Sequence, residues 1–197
     1  ILVKEIGVEE FKNKVFQEWE LIKDSALTLT DEELNRCLGF FNSPDYDDLP
    51  DSPAALIENL QSDLLFAAWH TQNVKPHKKP GYSIVTLCFK ETGVAPGDVT
   101  DRQLEQIADL ADRYSFGEIR ISHEQNIVMA DVQQDQLYEL WKQLKSGAMA
   151  SHNLGLLTDV ICCPGGDFCA LANAKSIPIA EAIQRKFDDH EELSNIG

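Results

Sequence analysis

Three of the five cysteines of this 197-residue chain, Cys162, Cys163 and Cys169, fall within eight residues, and the run Cys163-Pro-Gly-Gly-Asp-Phe-Cys169 is a C-x5-C unit. Pro164 stiffens the exit from the first thiol and Gly165-Gly166 permits a tight reversal, so both sulfurs can face one point with backbone N–H groups aimed at them. Soft thiolates with hydrogen bonds to sulfur are what an iron–sulfur cluster needs. The donor count falls short, because a four-iron cluster or an all-cysteine zinc site takes four thiolates. Cys162 is expected to point away from its neighbour, since adjacent side chains of an extended segment alternate. On spacing alone three readings stay open: a metal site completed elsewhere, a reactive or disulfide-forming pair, and a structural turn. Cys37 and Cys88 read as small buried hydrophobes. An odd, uneven set of cysteines is not a secreted disulfide framework and suits a reducing, cytoplasmic setting.

Composition narrows the partners. Lys+Arg is 17 and Asp+Glu is 33, a formal net charge of −16, which disfavours nucleic-acid backbones and anionic lipid. No apolar run approaches the roughly 20 residues of a membrane helix. The one basic run is Lys75-Pro-His-Lys78-Lys79, in a Pro/Gly-rich stretch that reads as a linker or turn and as a candidate anion contact.

The elements that must position these groups follow from periodicity. Val8, Phe11, Val15 and Trp19 recur at helical spacing, and Thr30-Asp-Glu-Glu33 is a capping-box start for a helix through Leu38. Residues 42–53 form an acidic, proline-bearing loop. Residues 54–69 predict one helix with Leu56, Leu60, Leu64 and Ala68 on its core stripe. From Tyr82 to Lys90 a strand is expected. A helix capped at Thr100 follows, with Leu104, Ile107, Ala108 and Ala111 on one face, then strands over 118–122 and 127–132. A helix with Leu137, Leu140, Trp141 and Leu144 inward closes at Gly147. The order β-α-β-β-α implies an α+β, ferredoxin-like arrangement. An apolar, strand-like segment from Leu154 leads into the thiol turn, and a helix starts near Pro178.

Three segments carry a family resemblance. Residues 158–172, with Cys163 and Cys169, are similar to the first cluster-ligand segment of siroheme-dependent nitrite and sulfite reductases. Residues 73–82 resemble that family's lead into its second ferredoxin-like half-domain. Residues 118–127 resemble its R-x-T-x-x-Q-N hairpin, with Ser122 where the pattern has Thr and with Arg120, Gln125 and Asn126 in place.

The resemblance implies a helical segment over 1–72 from a preceding cofactor-binding domain and a half-domain over 73–150. The start of an α/β cluster- and siroheme-binding domain then occupies 151–197. It implies six-electron reduction of nitrite or sulfite at siroheme, fed by a 4Fe–4S cluster and by a ferredoxin or flavoprotein electron donor. It assigns Cys163 and Cys169 to the cluster and makes Lys75, Lys78, Arg120, Gln125 and Asn126 candidate siroheme contacts, siroheme being a polycarboxylate. His77 and Lys79 stand where the family usually has glutamine. No residue is assigned to catalysis. The family's second pair, a C-x3-C, has no counterpart here, so the chain reads as a piece of a longer protein, inactive alone and holding neither prosthetic group stably. The competing expectation is a metal-binding or interaction module in which the C-x5-C takes zinc across a dimer or is only structural.

Overall fold

The computed structural model describes residues 1–188. Two compact units part between Asp45 and Tyr46. The expected division at 72/73 does not coincide with that break, because the helices of residues 54–73 bury Leu56, Phe66 and Trp69 in the same core as the sheet.

The first unit is helical: α1 (Leu2–Ile6), α2 (Val8–Ile22) and α3 (Asp31–Gly39). Thr30 caps α3 by accepting from the Glu33 N–H at 3.2 Å. The expected capping box is only half made, because the Glu33 carboxylate turns to Arg36, at 2.8 and 2.7 Å, instead of back to the cap. That guanidinium holds the Glu33 carboxyl below the usual range. None of the three helices buries a residue. Cys37 is half-buried, not the core thiol expected.

In the second unit the helix expected over 54–69 is two, α4 (Ala54–Ser62) and α5 (Leu64–Asn73). Asp63 sits between them in extended conformation and accepts from the N–H groups of Leu65 and Phe66, at 3.0 and 3.1 Å. One non-helical residue re-phases the stripe, so Leu64 is 81% exposed while Phe66 and Trp69 enter the core.

Four antiparallel strands follow: β1 (Val74–Pro76), β2 (Tyr82–Leu87), β3 (Arg120–Ile121) and β4 (Ile127–Gln133), in spatial order β1-β2-β4-β3. β1 lies in the stretch expected to be a linker. A three-residue strand ending in proline is tolerated because it forms a sheet edge. The crossover helix α6 (Asp101–Tyr114) begins with the expected capping box of Thr100 and Gln103. Its buried face is Ile107, Leu110, Ala111 and Tyr114, rotated from the one expected, and Leu104 is exposed. After β4, α7 (Leu137–Ser146) buries Leu137, Leu140, Trp141 and Leu144. The β-α-β-β-α order is thus realised, with α5 and β1 added in front.

Register sorts the two sheet faces. Val85 and Leu87 lie opposite Met129 and Ile127, and all four are core. The alternate residues Ile84, Thr86 and Val128 occupy the other face, with Lys75 opposite Ile84 and Arg120 opposite Val128 at its two edges. Residues 46–50, the part of the acidic loop in this unit, are free of helix and strand and dock at one end of this sheet. There the Asp47 N–H donates to the Tyr82 hydroxyl (3.1 Å) and Ser52 N–H to Gln134 Oε1 (2.7 Å).

Residues 154–164 contain no strand. A short 3-10 turn spans Gly165–Asp167, and α8 (Ser176–Asp188) carries Pro178 in its first turn.

Candidate functional site

The thiol turn is shaped by Gly165, whose φ of +60° is a region side chains avoid. A Cβ there would meet Ala174 O, Ser176 N and Ser176 Oγ, each at 2.8 Å. The Gly166 N–H donates to Ala174 O (2.8 Å), and those of Phe168 and Cys169 donate to Gly165 O (3.2 and 2.8 Å). These three amides are spent on backbone carbonyls, two within the turn and one on Ala174, and do not aim at sulfur as expected. Cys163 is exposed and Cys169 half-buried, while Cys162 is 7% exposed with its Sγ 3.1 Å from Cys163 O. Burial pushes the Cys162 thiol up. All five cysteines are free, and no cluster of three or more His, Cys, Asp or Glu able to hold a metal occurs among the described residues.

A polar network fastens this turn to the half-domain. Gln125, at the tip of the β3–β4 hairpin, grips one residue at both ends: its Nε2 donates to Cys162 O (2.7 Å) and its Oε1 accepts from Cys162 N–H (2.9 Å). Just past β2, the wholly buried Lys90 donates to Asp159 Oδ1 (2.9 Å), Glu124 O (2.6 Å) and Asn126 Oδ1 (3.3 Å). Gln184 of α8, also fully buried, donates to Lys90 O (3.2 Å) and Thr158 O (3.0 Å). Asn153 Nδ2 reaches Lys90 O and Thr158 Oγ1, at 3.0 and 3.1 Å. Cys88 lies beneath, its Sγ 3.6 Å from Asp159 Oδ1, and burial with that carboxylate pushes its thiol up to about 12.

Sequence reasoning missed Lys90, Asp159 and Gln184. The available signal was one lysine closing an apolar strand and one aspartate inside an apolar run, since a charge in such a place is rarely buried unpaired.

The hairpin itself is knitted by Ser122. Its Oγ accepts from the N–H groups of Glu124 and Asn126, both at 3.3 Å, so the change from threonine keeps the hydroxyl that matters. Asn126 is buried, with Oδ1 also taking the Phe89 N–H (3.4 Å) and Nδ2 without an acceptor among the described residues.

The remaining candidates are spread over the sheet and its loops. Lys75 and Arg120 are exposed at opposite edges of the sheet face described above, and Lys78 is exposed in the β1–β2 loop. Arg120 has Glu118 at 3.6 Å. Lys79 is taken by Asp48 at 2.6 Å. His77 turns inward: its Nδ1 accepts the Lys79 N–H (2.9 Å) and its Nε2 lies 3.3 Å from Asp131 Oδ1. Tyr46 donates to the same oxygen at 2.6 Å, and burial together with that carboxylate pushes its hydroxyl up to about 12. His123 is exposed beside Glu124. No hydrogen bond or ion pair joins Lys75, Lys78 or Arg120 to the thiol turn among the described residues. Of the expected set, the structure brings together Gln125 and the cysteine segment.

The donor chemistry fits half of a cluster cradle: two soft ligands on one glycine turn, anchored to a hairpin. The exposed cations and the orphaned Asn126 Nδ2 are of the type a polycarboxylate cofactor takes.

Residues 77–147 match the nitrite/sulfite reductase ferredoxin-like half domain. The ferredoxin–nitrite reductase of Betula pendula, a chloroplastic protein, is 25% identical over 193 residues, 94% of this chain and 27% of that one. The Synechococcus elongatus ferredoxin–nitrite reductase is 28% identical over 119 residues, covering 58% of this chain and 22% of the relative. The chloroplastic enzyme of Oryza sativa subsp. japonica is 31% identical over 113 residues, 56% and 18% of the two chains. The chain therefore spans about a quarter of the length of its relatives or less. No helix among the described residues is long and apolar enough to cross a membrane. Residues 77–147 thus match the half domain of nitrite/sulfite reductases, and the chain's similarity to ferredoxin–nitrite reductases runs on into the thiol segment.

Proposed function

We propose that this chain supplies the ferredoxin-like half-domain and the first thiolate pair of a siroheme and 4Fe–4S reductase acting on a small nitrogen or sulfur oxyanion. Nitrite is favoured over sulfite, and ferredoxin over a flavoprotein as electron donor, because the relatives compared are named ferredoxin–nitrite reductases. One observation carries the reading: the C-x5-C turn follows the matched half-domain and is clamped at Cys162 by that domain's own hairpin glutamine.

Cys163 and Cys169 are the residues that would hold the cluster. When bound, the cluster and siroheme supply one-electron transfer to the substrate. This chain's own residues present and position those ligands. The glycine turn presents two thiolates, and the Lys90–Asp159–Gln184 network keeps that turn against the half-domain. Lys75, Lys78 and Arg120 offer cations to carboxylates or to the oxyanion, and Asn126 offers an unused amide donor. Two thiolates do not complete a four-iron site, so the chain alone is proposed to retain neither group and to be inactive.

The test is metal analysis of the intact gene product purified without oxygen. Iron with acid-labile sulfide and a tetrapyrrole absorption band are expected, and Cys163→Ser or Cys169→Ser should remove the iron while Cys162→Ser keeps it. Zinc at about half an atom per chain, or no metal after anaerobic reconstitution, overturns the proposal.

A further inference from the structure

Two thiols stand side by side at the entry to the turn, and only one can face out. Side chains alternate along an extended segment, so a slip of one residue exchanges Cys162 and Cys163 between the interior and the surface. A sheet ladder normally prevents such a slip. Residues 154–164 have none.

We propose that Gln125 replaces the ladder: it is a positioning residue that fixes the register of the cysteine segment and selects Cys163, not Cys162, as the outward thiol. Its carboxamide gives one donor and one acceptor to the C=O and N–H of a single residue, as a neighbouring strand would, at 2.7 and 2.9 Å. The choice is visible in the outcome, with Cys162 buried and Cys163 exposed. Gln125 is held ready for this at a backbone cost. Its φ is +59°, a left-handed conformation uncommon outside glycine and asparagine, and such strain persists where surrounding structure over-determines it. Here the Ser122 turn does so, its carbonyl accepting the Gln125 N–H at 3.2 Å. Gly97 leaves the room the side chain needs, since a Cβ there would stand 2.9 Å from Gln125 Cβ. Upstream, Asp159 is tied to Lys90 and Thr158 O to Gln184. Downstream, the Gly166 N–H is tied to Ala174 O. Gln125 is the fastening between the two. Its functional weight rests on the reading above, in which the outward thiol is a cluster ligand.

The test reads the thiols directly, on the full chain kept metal-free and reduced. A brief pulse of N-ethylmaleimide is followed by fragment mass spectrometry that separates label on Cys162 from label on Cys163. The wild type should label Cys163 at least about tenfold faster, in keeping with access-controlled thiol reactivity. In Gln125→Ala the ratio should fall to within about threefold. Gln125→Glu keeps the acceptor for Cys162 N–H and loses the donor to Cys162 O, so its ratio should lie between the two. A folded Gln125→Ala with the wild-type ratio overturns the proposal, and lowered thermal stability without a change in ratio would show a merely structural role. If Gln125→Ala does not fold, Gln125→Glu decides by the same criterion. The ratio needs no metal, so it can fail while the cluster reading stands, and it can hold in a protein that proves to bind zinc.

Discussion

Replacing Lys90 by methionine should be among the most damaging single changes in the second unit. The side chain is 0% exposed, and its ammonium donates to Asp159 Oδ1 (2.9 Å), Glu124 O (2.6 Å) and Asn126 Oδ1 (3.3 Å). Methionine fills nearly the same volume, so packing is largely kept and the loss is electrostatic. Glu124 is exposed and its carbonyl can turn to water. Asn126 Oδ1 keeps the Phe89 N–H. Asp159, 11% exposed, is left with the Gly155 N–H (2.8 Å) and a thiol, and no cation. Removing one partner of a buried pair costs about 3–5 kcal/mol, and the slight solvent access of Asp159 puts this case near about 3. For a chain of this size that lowers Tm by roughly 6–12 °C. Lys90→Met/Asp159→Asn keeps an acceptor for Gly155 and has no stranded charge, so it should recover most of the loss, with a coupling of about 2 kcal/mol. Urea unfolding followed by the fluorescence of the core residues Trp69 and Trp141 measures all three variants. A Lys90→Met cost under about 1 kcal/mol, or a double variant as unstable as the sum of its singles, would refute the argument.

The Cys88 thiol is raised from 9.0 to about 12, so between those values the folded chain holds a proton that the unfolded chain releases. Stability should be full below pH 9 and fall as pH rises through that window, by up to about 1.4 kcal/mol per unit, and Cys88→Ala should flatten the fall in urea midpoints taken from pH 8 to 10.5. Gly165→Ala forces a side chain into φ +60° against Ser176 and Ala174. It should cost about 1–3 kcal/mol and speed hydrogen exchange at the Gly166 and Cys169 amides. Asp63→Ala removes the cap between α4 and α5 and the 3.2 Å bond from the Tyr138 hydroxyl. A loss of about 1–2 kcal/mol is expected by thermal melting, and Asp63→Asn, which still caps, should restore most of it.

The architecture was legible where the chain interacts with itself locally. Thr100 and Gln103 announced α6, and the Leu137 stripe announced α7, because caps and periodic faces are written within a few residues. What was misread turned on single residues that shift phase. Asp63 splits an apolar run that reads as one helix, and the core side passes from Leu64 to Phe66. α6 shows its true face only once Tyr114 is seen under the sheet, because Leu104 and Leu110 compete for the same amphipathic pattern. β1 was hidden by its proline and lysine, which suit an exposed edge as well as a loop.

The candidate site divides the same way. Cys163, Gly165 and Cys169 are neighbours in sequence, so their turn could be read. The groups that hold the turn are separated by 37 residues for Gln125–Cys162, 69 for Lys90–Asp159 and 94 for Lys90–Gln184. No periodicity links positions so far apart, and each residue alone has an ordinary surface explanation. Gln125 shows the consequence most clearly. Read by resemblance, it was a siroheme contact; in the fold its amide is engaged with the cysteine segment through one N–H and its oxygen. The second N–H of Nε2 remains, so a cofactor carboxylate could be bound without releasing Cys162. In the proposed holoprotein the two roles are joined in one side chain: an anion on that N–H would be held at a fixed distance from the cysteine segment, because the same planar amide sets both.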